Sequence, residues 1–228
     1  MANVRYPGSK VEIKGFIARY YDVLMDVITL GRYPSFIAEA IRLMRIKPED
    51  KIIDFGAGTG RNARLMLKYL SPEGKLVGVD ISEIMISQFK RRCGRFPNAK
   101  IINAGVDEPL PFAEEFDKVF ISFLLHGFPQ DTRETITDNA YRALKSDGGC
   151  YILDWNEFDL KALPVYQRAF FKFIECSYTF DFIERNWKKI LRDKGFDDFE
   201  EHFFFSKFVR LLKARKTGFN RNQGNDSK

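Results

Sequence analysis

A glycine-rich turn follows an apolar run early in the chain. Residues 51–60 read Lys-Ile-Ile-Asp-Phe-Gly-Ala-Gly-Thr-Gly, and the apolar part of this segment is typical of a buried strand. Glycines permit tight turns at positive φ and let a ligand contact the main chain without meeting a Cβ atom. Because ligands of open α/β sheets bind at the carboxyl ends of strands, we expect this turn to form a binding site.

The spacing of these glycines excludes two common nucleotide-binding sites. A dinucleotide fingerprint reads G-x-G-x-x-G, but Arg61 occupies the third glycine position counted from Gly56 and Gly58. A P-loop needs a G-K-[ST] tripeptide, which the sequence lacks. The next apolar run ends in Asp80, a carboxylate that can accept hydrogen bonds from both hydroxyls of a ribose. Asp80 alone would also suit an NAD-binding protein. Only its combination with the G-A-G-T-G turn distinguishes this site from an NAD site.

The turn resembles the first motif of class I S-adenosylmethionine-dependent methyltransferases, in which an acidic residue precedes G-x-G-x-G. Residues 105–112 resemble the acidic L-P-F segment of the ubiquinone and menaquinone biosynthesis C-methyltransferases. Residues 116–129 match the fourth strand and the loop after it, and residues 143–149 match the turn before the fifth strand. The resemblance covers roughly residues 14–156, together with the last turn and hairpin.

The resemblance implies a fold, a cofactor and a set of binding residues. The fold is an α/β Rossmann-like sandwich with N-terminal helices and a seven-stranded, mostly parallel sheet of order 3-2-1-4-5-7-6, whose last strand is antiparallel. The cofactor is S-adenosylmethionine, and the product is S-adenosylhomocysteine. The implied cofactor-binding residues are Tyr21, Asp54, Gly56, Ala57, Gly58, Thr59, Gly60, Asp80, Ile81, Val106, Asp107 and Ser122.

Each implied role has an alternative. Asp54 would position the methionine end of the donor; the alternative is that it does no more than cap the turn. Asp80 would bind the ribose; the alternative is that it does no more than cap the next helix. Val106 and Asp107 replace the usual D-A of the family pattern, so either Asp107 or the backbone of both residues would contact the adenine. Tyr21 would close over the donor, or pack in the core.

His126 is the candidate catalytic residue. It follows the fourth strand, where the methyl donor and the acceptor meet in this fold, and a neutral imidazole there could take a proton from an acceptor hydroxyl or carbon acid. In many relatives a histidine in this motif only lines the pocket, and that role stays open. The transfer is a direct in-line displacement at the sulfonium methyl, for which proximity, alignment and exclusion of water can supply most of the acceleration.

A scaffold of alternating strands and helices must position these residues. Apolar runs predict strands at residues 51–55, 76–80, 100–103, 117–122 and 150–154. Helices are expected at residues 62–70, 83–92 and 133–144. Such alternation implies a parallel sheet covered on both faces, with right-handed crossovers. Ahead of it, one helix from Ile13 should stop at Gly31, and a second should begin near Pro34 and end before Pro48.

The end of the chain departs from this alternation. Residues 202–205 and 208–213 are strand-like and are separated by only Ser206 and Lys207, which predicts an antiparallel hairpin. We expect one domain over residues 1–216, with N-terminal helices at 13–46 and a disordered basic tail at 217–228. In the family, the aromatic segment at about 155–187 builds a lid over the acceptor, and aromatic walls suit a flat or apolar small molecule.

Composition narrows the function classes. The three cysteines fit neither a disulfide framework nor a zinc pattern, and with two histidines we expect no metal site. No apolar run approaches the roughly 18 residues of a spanning helix and no signal-peptide core begins the chain, so a cytoplasmic protein is expected. The net charge of +6 comes partly from the tail and lacks interleaved aromatics, which argues against a nucleic-acid partner. Peripheral membrane contact and the oligomeric state stay open.

The expected function is methyl transfer to a small aromatic or lipid-like acceptor, with the choice among carbon, oxygen and nitrogen open. One alternative is a methyltransferase acting on RNA or protein, although no N-P-P-Y or D-P-P-Y tetrapeptide follows the fourth strand. Another is a non-catalytic module that binds S-adenosylmethionine, since fold does not fix function.

Overall fold

The computed structural model describes residues 21–28 and 31–217 of the chain. The predictions for residues 13–20 of the first helix and for residues 218–228 of the tail lie outside the described residues. Thr217, the first residue assigned to the tail, is described, and its main-chain N–H donates to the carbonyl of Gly195 at 3.2 Å.

Two helices precede the sheet. Helix α1 spans Tyr21–Ile28 and helix α2 spans Tyr33–Leu43. Helix α2 begins where the sequence predicts, because Pro34 lies in its first turn, where a missing N–H leaves no helical hydrogen bond unmade. Its buried face, which includes Ile37 and Ile41, packs against the sheet.

Seven strands form one sheet of order β3-β2-β1-β4-β5-β7-β6, which confirms the expected topology. The strands are β1 (Lys51–Phe55), β2 (Lys75–Asp80), β3 (Ala99–Asn103), β4 (Phe116–Ser122), β5 (Leu144–Trp155), β6 (Phe196–Phe204) and β7 (Val209–Lys216). The first five pair in parallel, whereas β7 is antiparallel to both β5 and β6.

Helices fill the crossovers between strands. They are α3 (Arg61–Met66), α4 (Glu83–Cys93), α5 (Gln130–Ala143), α6 (Val165–Ile174), α7 (Ser177–Ile183) and α8 (Trp187–Asp193), with short 3₁₀ turns at Leu125–Gly127 and Leu160–Ala162. Helix α3 is shorter than expected because the chain continues in tighter turns, with the N–H of Tyr69 bonded to the carbonyl of Met66.

The C-terminal hairpin differs in its connection from the prediction. Strand β6 ends at Phe204 and β7 begins at Val209, so four residues connect them rather than two. Phe205, Ser206 and Lys207 all have positive φ, between 48° and 72°. Phe205 and Phe208, whose apolar side chains suggest strands in the sequence, therefore belong to the turn.

Alternate residues of the strands enter two apolar layers. Ile53 packs with Ile136 and Ala140 on one face, while Ile52 packs with Ile37 on the other. Both faces of the sheet are covered, and the carboxyl edge of the parallel strands carries the loops described below. Within the described residues no helix is long and apolar enough to cross a membrane.

Candidate functional site

The glycine-rich turn joins the end of β1 to the start of α3. Gly56, Gly58 and Gly60 have φ values of 72°, 54° and 75°, in the left-handed region that favours glycine. At Gly60 a Cβ atom would also lie 2.8 Å from the ring of Phe89. The main-chain N–H groups of Gly56 and Ala57 donate to the carbonyl of Val79 at 2.9 and 3.0 Å, which fastens the turn to β2.

Asp80, the last residue of β2, lies directly against this turn. One carboxylate oxygen accepts a hydrogen bond from the N–H of Gly58 and the other accepts one from the N–H of Ser82, each at 2.8 Å. Burial raises the pKa of Asp80, and these main-chain donors act in the opposite direction. A carboxylate offers about four acceptor positions, so two stay available for hydroxyl groups of a ligand.

Asp54 lies one residue before the end of β1 and is 1% exposed. Its Oδ2 atom is buried and has no hydrogen-bond partner among the residues that the structure describes. Burial, and then the charge of Asp80, raise the pKa of Asp54 well above its usual range. A buried carboxylate oxygen without a partner is costly, so this position fits a ligand that brings a cationic or N–H donor.

The segment after β3 lies beside Asp80. The N–H of Ala104 donates to the carbonyl of Asp80 at 3.2 Å. Asn139 of α5, which the sequence analysis missed, holds the next residues by donating to the carbonyl of Val106 at 2.9 Å. Val106 is buried, whereas Ile81, which follows Asp80, is exposed and offers an apolar surface. Asp107 lies next to Val106 in this segment.

Helix α1 is fastened to the glycine turn by polar contacts. Asp22 accepts a hydrogen bond from the hydroxyl of Thr59 at 3.0 Å and forms an ion pair with Arg92 at 2.6 Å. Arg61 forms a second ion pair, at 2.8 Å, with Asp26. Tyr21, the residue that the sequence analysis selected, begins this helix, but its side chain lies outside the described part of the structure.

Ser122 ends β4, between the glycine turn and the loop that carries His126. The side-chain amide of Asn62 on α3 donates to the Ser122 hydroxyl at 3.4 Å. Phe123 follows with a φ of 47°, so the chain turns sharply there. The structure thus places Ser122 at the carboxyl edge, on the strand next to Asp54.

His126 is held by the end of β5. Its Nδ1 atom lies 2.7 Å from Oδ1 of Asp154, a residue that is 1% exposed. The N–H of Trp155 also donates to that oxygen, at 2.8 Å, which fixes the carboxylate. The Nε2 atom of His126 lies 3.8 Å from Oε2 of Glu175, at the end of α6.

The pKa of His126 reflects these neighbours. Burial lowers the pKa, but Asp154 raises it by charge and hydrogen bond, Glu175 and Cys176 raise it further, and together they bring it to about 9. The imidazole is therefore positively charged at neutral pH in this arrangement. Through Asp154 and Glu175, the imidazole connects the end of β5 to the segment that follows it.

A buried arginine contacts the turn that carries His126. Arg133 of α5 is fully buried and donates to the carbonyl of Leu125 at 2.9 Å and to the carbonyl of Tyr178 at 2.6 Å. It also forms an ion pair with Asp181 of α7 at 2.5 Å. The guanidinium thus connects the His126 turn to α7. The sequence does not mark this residue as functional, because arginine on a helix usually faces solvent.

Aromatic rings line the segment beside the His126 and Asp154 pair. The ring of Trp155 packs edge-on against Phe171 of α6 at 5.1 Å between centroids, and Phe171 contacts Phe158 at 5.5 Å. Phe180 of α7 extends the cluster, 5.9 Å from Phe171. The Nε1 atom of Trp155 is buried and has no hydrogen-bond partner within the described residues. These rings cover the carboxyl end of β5.

No group of three or more His, Cys, Asp or Glu side chains in the described part of the chain could hold a metal ion. The thiols of Cys93, Cys150 and Cys176 are all buried and unbridged. Burial raises the pKa of Cys93 to about 11 and that of Cys150 to about 12, so these two thiols stay protonated.

Comparison with known proteins gives consistent results. A family model described as a methyltransferase domain matches residues 52–148. A ubiquinone/menaquinone biosynthesis C-methyltransferase of Neisseria meningitidis serogroup B is 25% identical over 227 residues, which covers 92% of each chain. A demethylmenaquinone methyltransferase of Symbiobacterium thermophilum is 30% identical over 166 residues, covering 70% of this chain and 65% of that protein.

Solved structures show the same fold. An S-adenosylmethionine-dependent methyltransferase from Aquifex aeolicus superposes with a TM-score of 0.57 at 16% identity, over 80% of this chain and 98% of that one. A TehB-like methyltransferase from Corynebacterium glutamicum gives a TM-score of 0.58 at 18% identity, over 86% of this chain and 96% of that one.

Proposed function

We propose that this chain, which is a class I S-adenosylmethionine-dependent methyltransferase, methylates a small apolar acceptor with an aromatic ring. The chain resembles the ubiquinone/menaquinone biosynthesis C-methyltransferases. The observation that carries this proposal is the aromatic cluster of Trp155, Phe158 and Phe171, which packs beside the His126 and Asp154 pair. A flat ring fits such walls, whereas a charged polymer does not. The names of the relatives, which concern quinone biosynthesis, point to the same class of acceptor.

The donor would be held by the turn after β1 and by the two acidic residues near it. Asp54 would accept a hydrogen bond from the ammonium of the methionine end, which gives its orphaned oxygen a partner. Asp80 would accept hydrogen bonds from the ribose hydroxyls at the acceptor positions of its carboxylate that the N–H groups of Gly58 and Ser82 leave free.

The remaining implied residues complete this donor site. The main chain of residues 56–60 would approach the donor closely, and Ile81 would cover one face of the adenine while Val106 and Asp107 bind its edge. Ser122 and Tyr21 would lie near the methionine end. When bound, S-adenosylmethionine supplies an activated methyl carbon, with S-adenosylhomocysteine as the leaving group.

His126 would accept a proton from the acceptor. Its hydrogen bond to Asp154 keeps the proton on Nδ1, so Nε2 is the atom that exchanges a proton with a hydroxyl or a carbon acid. Asp154 and then Glu175 raise the pKa of His126, so an acceptor that displaces Glu175 from Nε2 would lower this pKa and increase the neutral fraction of the imidazole. Only that neutral fraction can act as a base.

The segment at about 155–187 would form the lid that excludes water during transfer. Phe171 and Glu175 belong to α6 and the residue after it, and Arg133 ties α7 to the His126 turn. Closing this segment over the acceptor would align the reacting atoms and remove competing water.

The test is a transfer assay with S-adenosylmethionine labelled in its methyl group. The acceptors are 1,4-dihydroxynaphthalene kept reduced, a panel of simpler phenols, total RNA and bulk protein. We expect label in the extracted phenolic products and none in RNA or protein. Label in either polymer would contradict the acceptor class, and donor binding without transfer across the panel would favour the non-catalytic alternative.

A pair of variants tests the role of His126 in the same assay. His126→Gln should lower the turnover number by about a hundredfold or more, because general-base catalysis contributes about 10²–10⁴-fold. His202→Gln, at the chain's other histidine on β6, is the matched control and should leave turnover unchanged. Equal turnover in both variants would show that His126 only lines the pocket.

A further inference from the structure

Oδ2 of Asp54 and Nε1 of Trp155 are buried at the carboxyl edge of the sheet and lack a hydrogen-bond partner among the described residues. Nε of Arg215, elsewhere in the sheet, is also buried without a hydrogen bond, but it lies 3.1 Å from a carboxylate oxygen of Asp198 and is therefore ion-paired. Asp54 is on β1 and Trp155 is on β5, the two strands that flank β4. The donor accounts for the first atom, and nothing in the proposed function uses the second.

Trp155 lies at the end of β5, and its indole packs against an aromatic ring of α6. Its main-chain N–H donates to the same Asp154 oxygen that binds His126 Nδ1, so Trp155 directly follows the residue that holds the candidate base. Its ring contacts Phe171 of α6, which in turn contacts Phe158. The indole therefore lies between the sheet and the proposed lid.

The other tryptophan of the chain shows what a purely structural indole does. Trp187 is 1% exposed, and its Nε1–H donates to the carbonyl of Phe182 at 3.1 Å. Buried indole N–H groups normally find such a partner. At Trp155 a phenylalanine would pack against the same rings without leaving a donor unpaired. The phenylalanine ring that contacts Trp155 offers a bound water no polar partner, and such a water needs two to four of them.

We propose that the indole N–H of Trp155 binds an oxygen atom of the acceptor and so helps to determine which acceptors the enzyme methylates. This inference rests on the proposed function, which places an aromatic acceptor against these rings. An indole nitrogen only donates, so the partner must be a hydrogen-bond acceptor, which we take to be an oxygen such as that of a phenol, a ring carbonyl or an ether. The hydrogen bond would fix the orientation of an otherwise apolar ring relative to Nε2 of His126. A ring without an oxygen at that position would leave the donor unpaired.

The experiment compares the binding of 1-naphthol with that of naphthalene, two probes of one shape that differ by one oxygen. Both are titrated into the protein saturated with S-adenosylhomocysteine, and the two indole N–H resonances are followed by ¹⁵N NMR. The variants Trp155→Phe and Trp187→Phe assign the resonances. S-adenosylhomocysteine should bind both variants as it binds the unchanged protein, which shows that each folds.

We expect 1-naphthol to move the Trp155 indole resonance downfield and to slow its exchange with solvent, and naphthalene to do neither. The preference for 1-naphthol over naphthalene should fall by about 2- to 12-fold in Trp155→Phe, the range for one hydrogen bond, and should persist in Trp187→Phe.

Two results would overturn the inference, and they can be told apart. If 1-naphthol binds while the Trp155 resonance stays fixed and Trp155→Phe keeps its preference, the indole does not bind the oxygen, although the proposed function stands. If neither probe binds, the proposed class of acceptor is contradicted as well.

Discussion

Replacement of His126 by glutamine should change how the stability of the protein depends on pH. In the folded protein Asp154 and Glu175 face the two ring nitrogens, and they raise the pKa of His126 to about 9 against the opposing effect of burial. In the unfolded chain the pKa returns to its ordinary value of about 6.5. The folded state therefore binds the proton more tightly than the unfolded state does.

The sign and the size of the effect follow from this difference. A histidine with a raised pKa contributes stability that is fully present below about pH 6.5 and is lost as the pH rises through about 9. The interval between 6.5 and about 9 corresponds to at most about 3 kcal/mol. The His126 side chain is only 16% exposed, so solvent screening reduces this figure little.

The assay is urea unfolding of the unchanged protein and of His126→Gln at pH values from about 6 to 10. The difference in the free energy of unfolding should be largest near pH 6 and should shrink by about 2–3 kcal/mol by pH 10. Glu175→Gln should reduce the change. A difference between His126→Gln and the unchanged protein that is equal at pH 6 and pH 10 would refute the ion pair.

Three further predictions concern the donor site. Asp54→Asn should be at least as stable as the unchanged protein without donor, because it removes a buried unpaired carboxylate, but should bind S-adenosylmethionine about 10- to 150-fold more weakly by calorimetry. Gly60→Ala should lower the free energy of unfolding in urea by about 1–3 kcal/mol, since its φ is 75° and the new Cβ would meet Phe89 at 2.8 Å; an unchanged value would contradict this. Asp22→Ala should speed hydrogen exchange in α1 while lowering global stability by about 1 kcal/mol or less, because it releases the contact with Thr59; unchanged exchange would show that this contact does not fasten the helix.

Local signals in the sequence predicted the scaffold well, because each depends on neighbouring residues. The glycine turn and the carboxylate of Asp80 lie at the ends of two apolar runs, and parallel strands bring such ends to one edge. The strand order came from the resemblance. The hairpin connection was mistaken because Phe205 is apolar, and its φ of 48° cannot be inferred from its side chain.

The polar network around His126 could not be predicted in the same way. Asp154 and Glu175 are 28 and 49 residues away in sequence, and only the tertiary fold shows that they face the two ring nitrogens. Arg133 is similar, since an arginine on a helix is expected to face solvent, whereas here three carbonyl and carboxylate partners justify its burial. The unpaired N–H of Trp155 is visible only once its neighbours are placed.

The most direct test of the account is isothermal titration with S-adenosylmethionine and S-adenosylhomocysteine, with NAD as the control ligand. Asp80→Ala is the test variant, and Asp138→Ala, at an exposed residue of α5, is its matched control. Both sulfur nucleotides should bind with micromolar affinity, which weakens at least tenfold in Asp80→Ala, about 1.4 kcal/mol, and is unchanged in Asp138→Ala. Binding of NAD without either sulfur nucleotide, or equal affinity in the two variants, would contradict it.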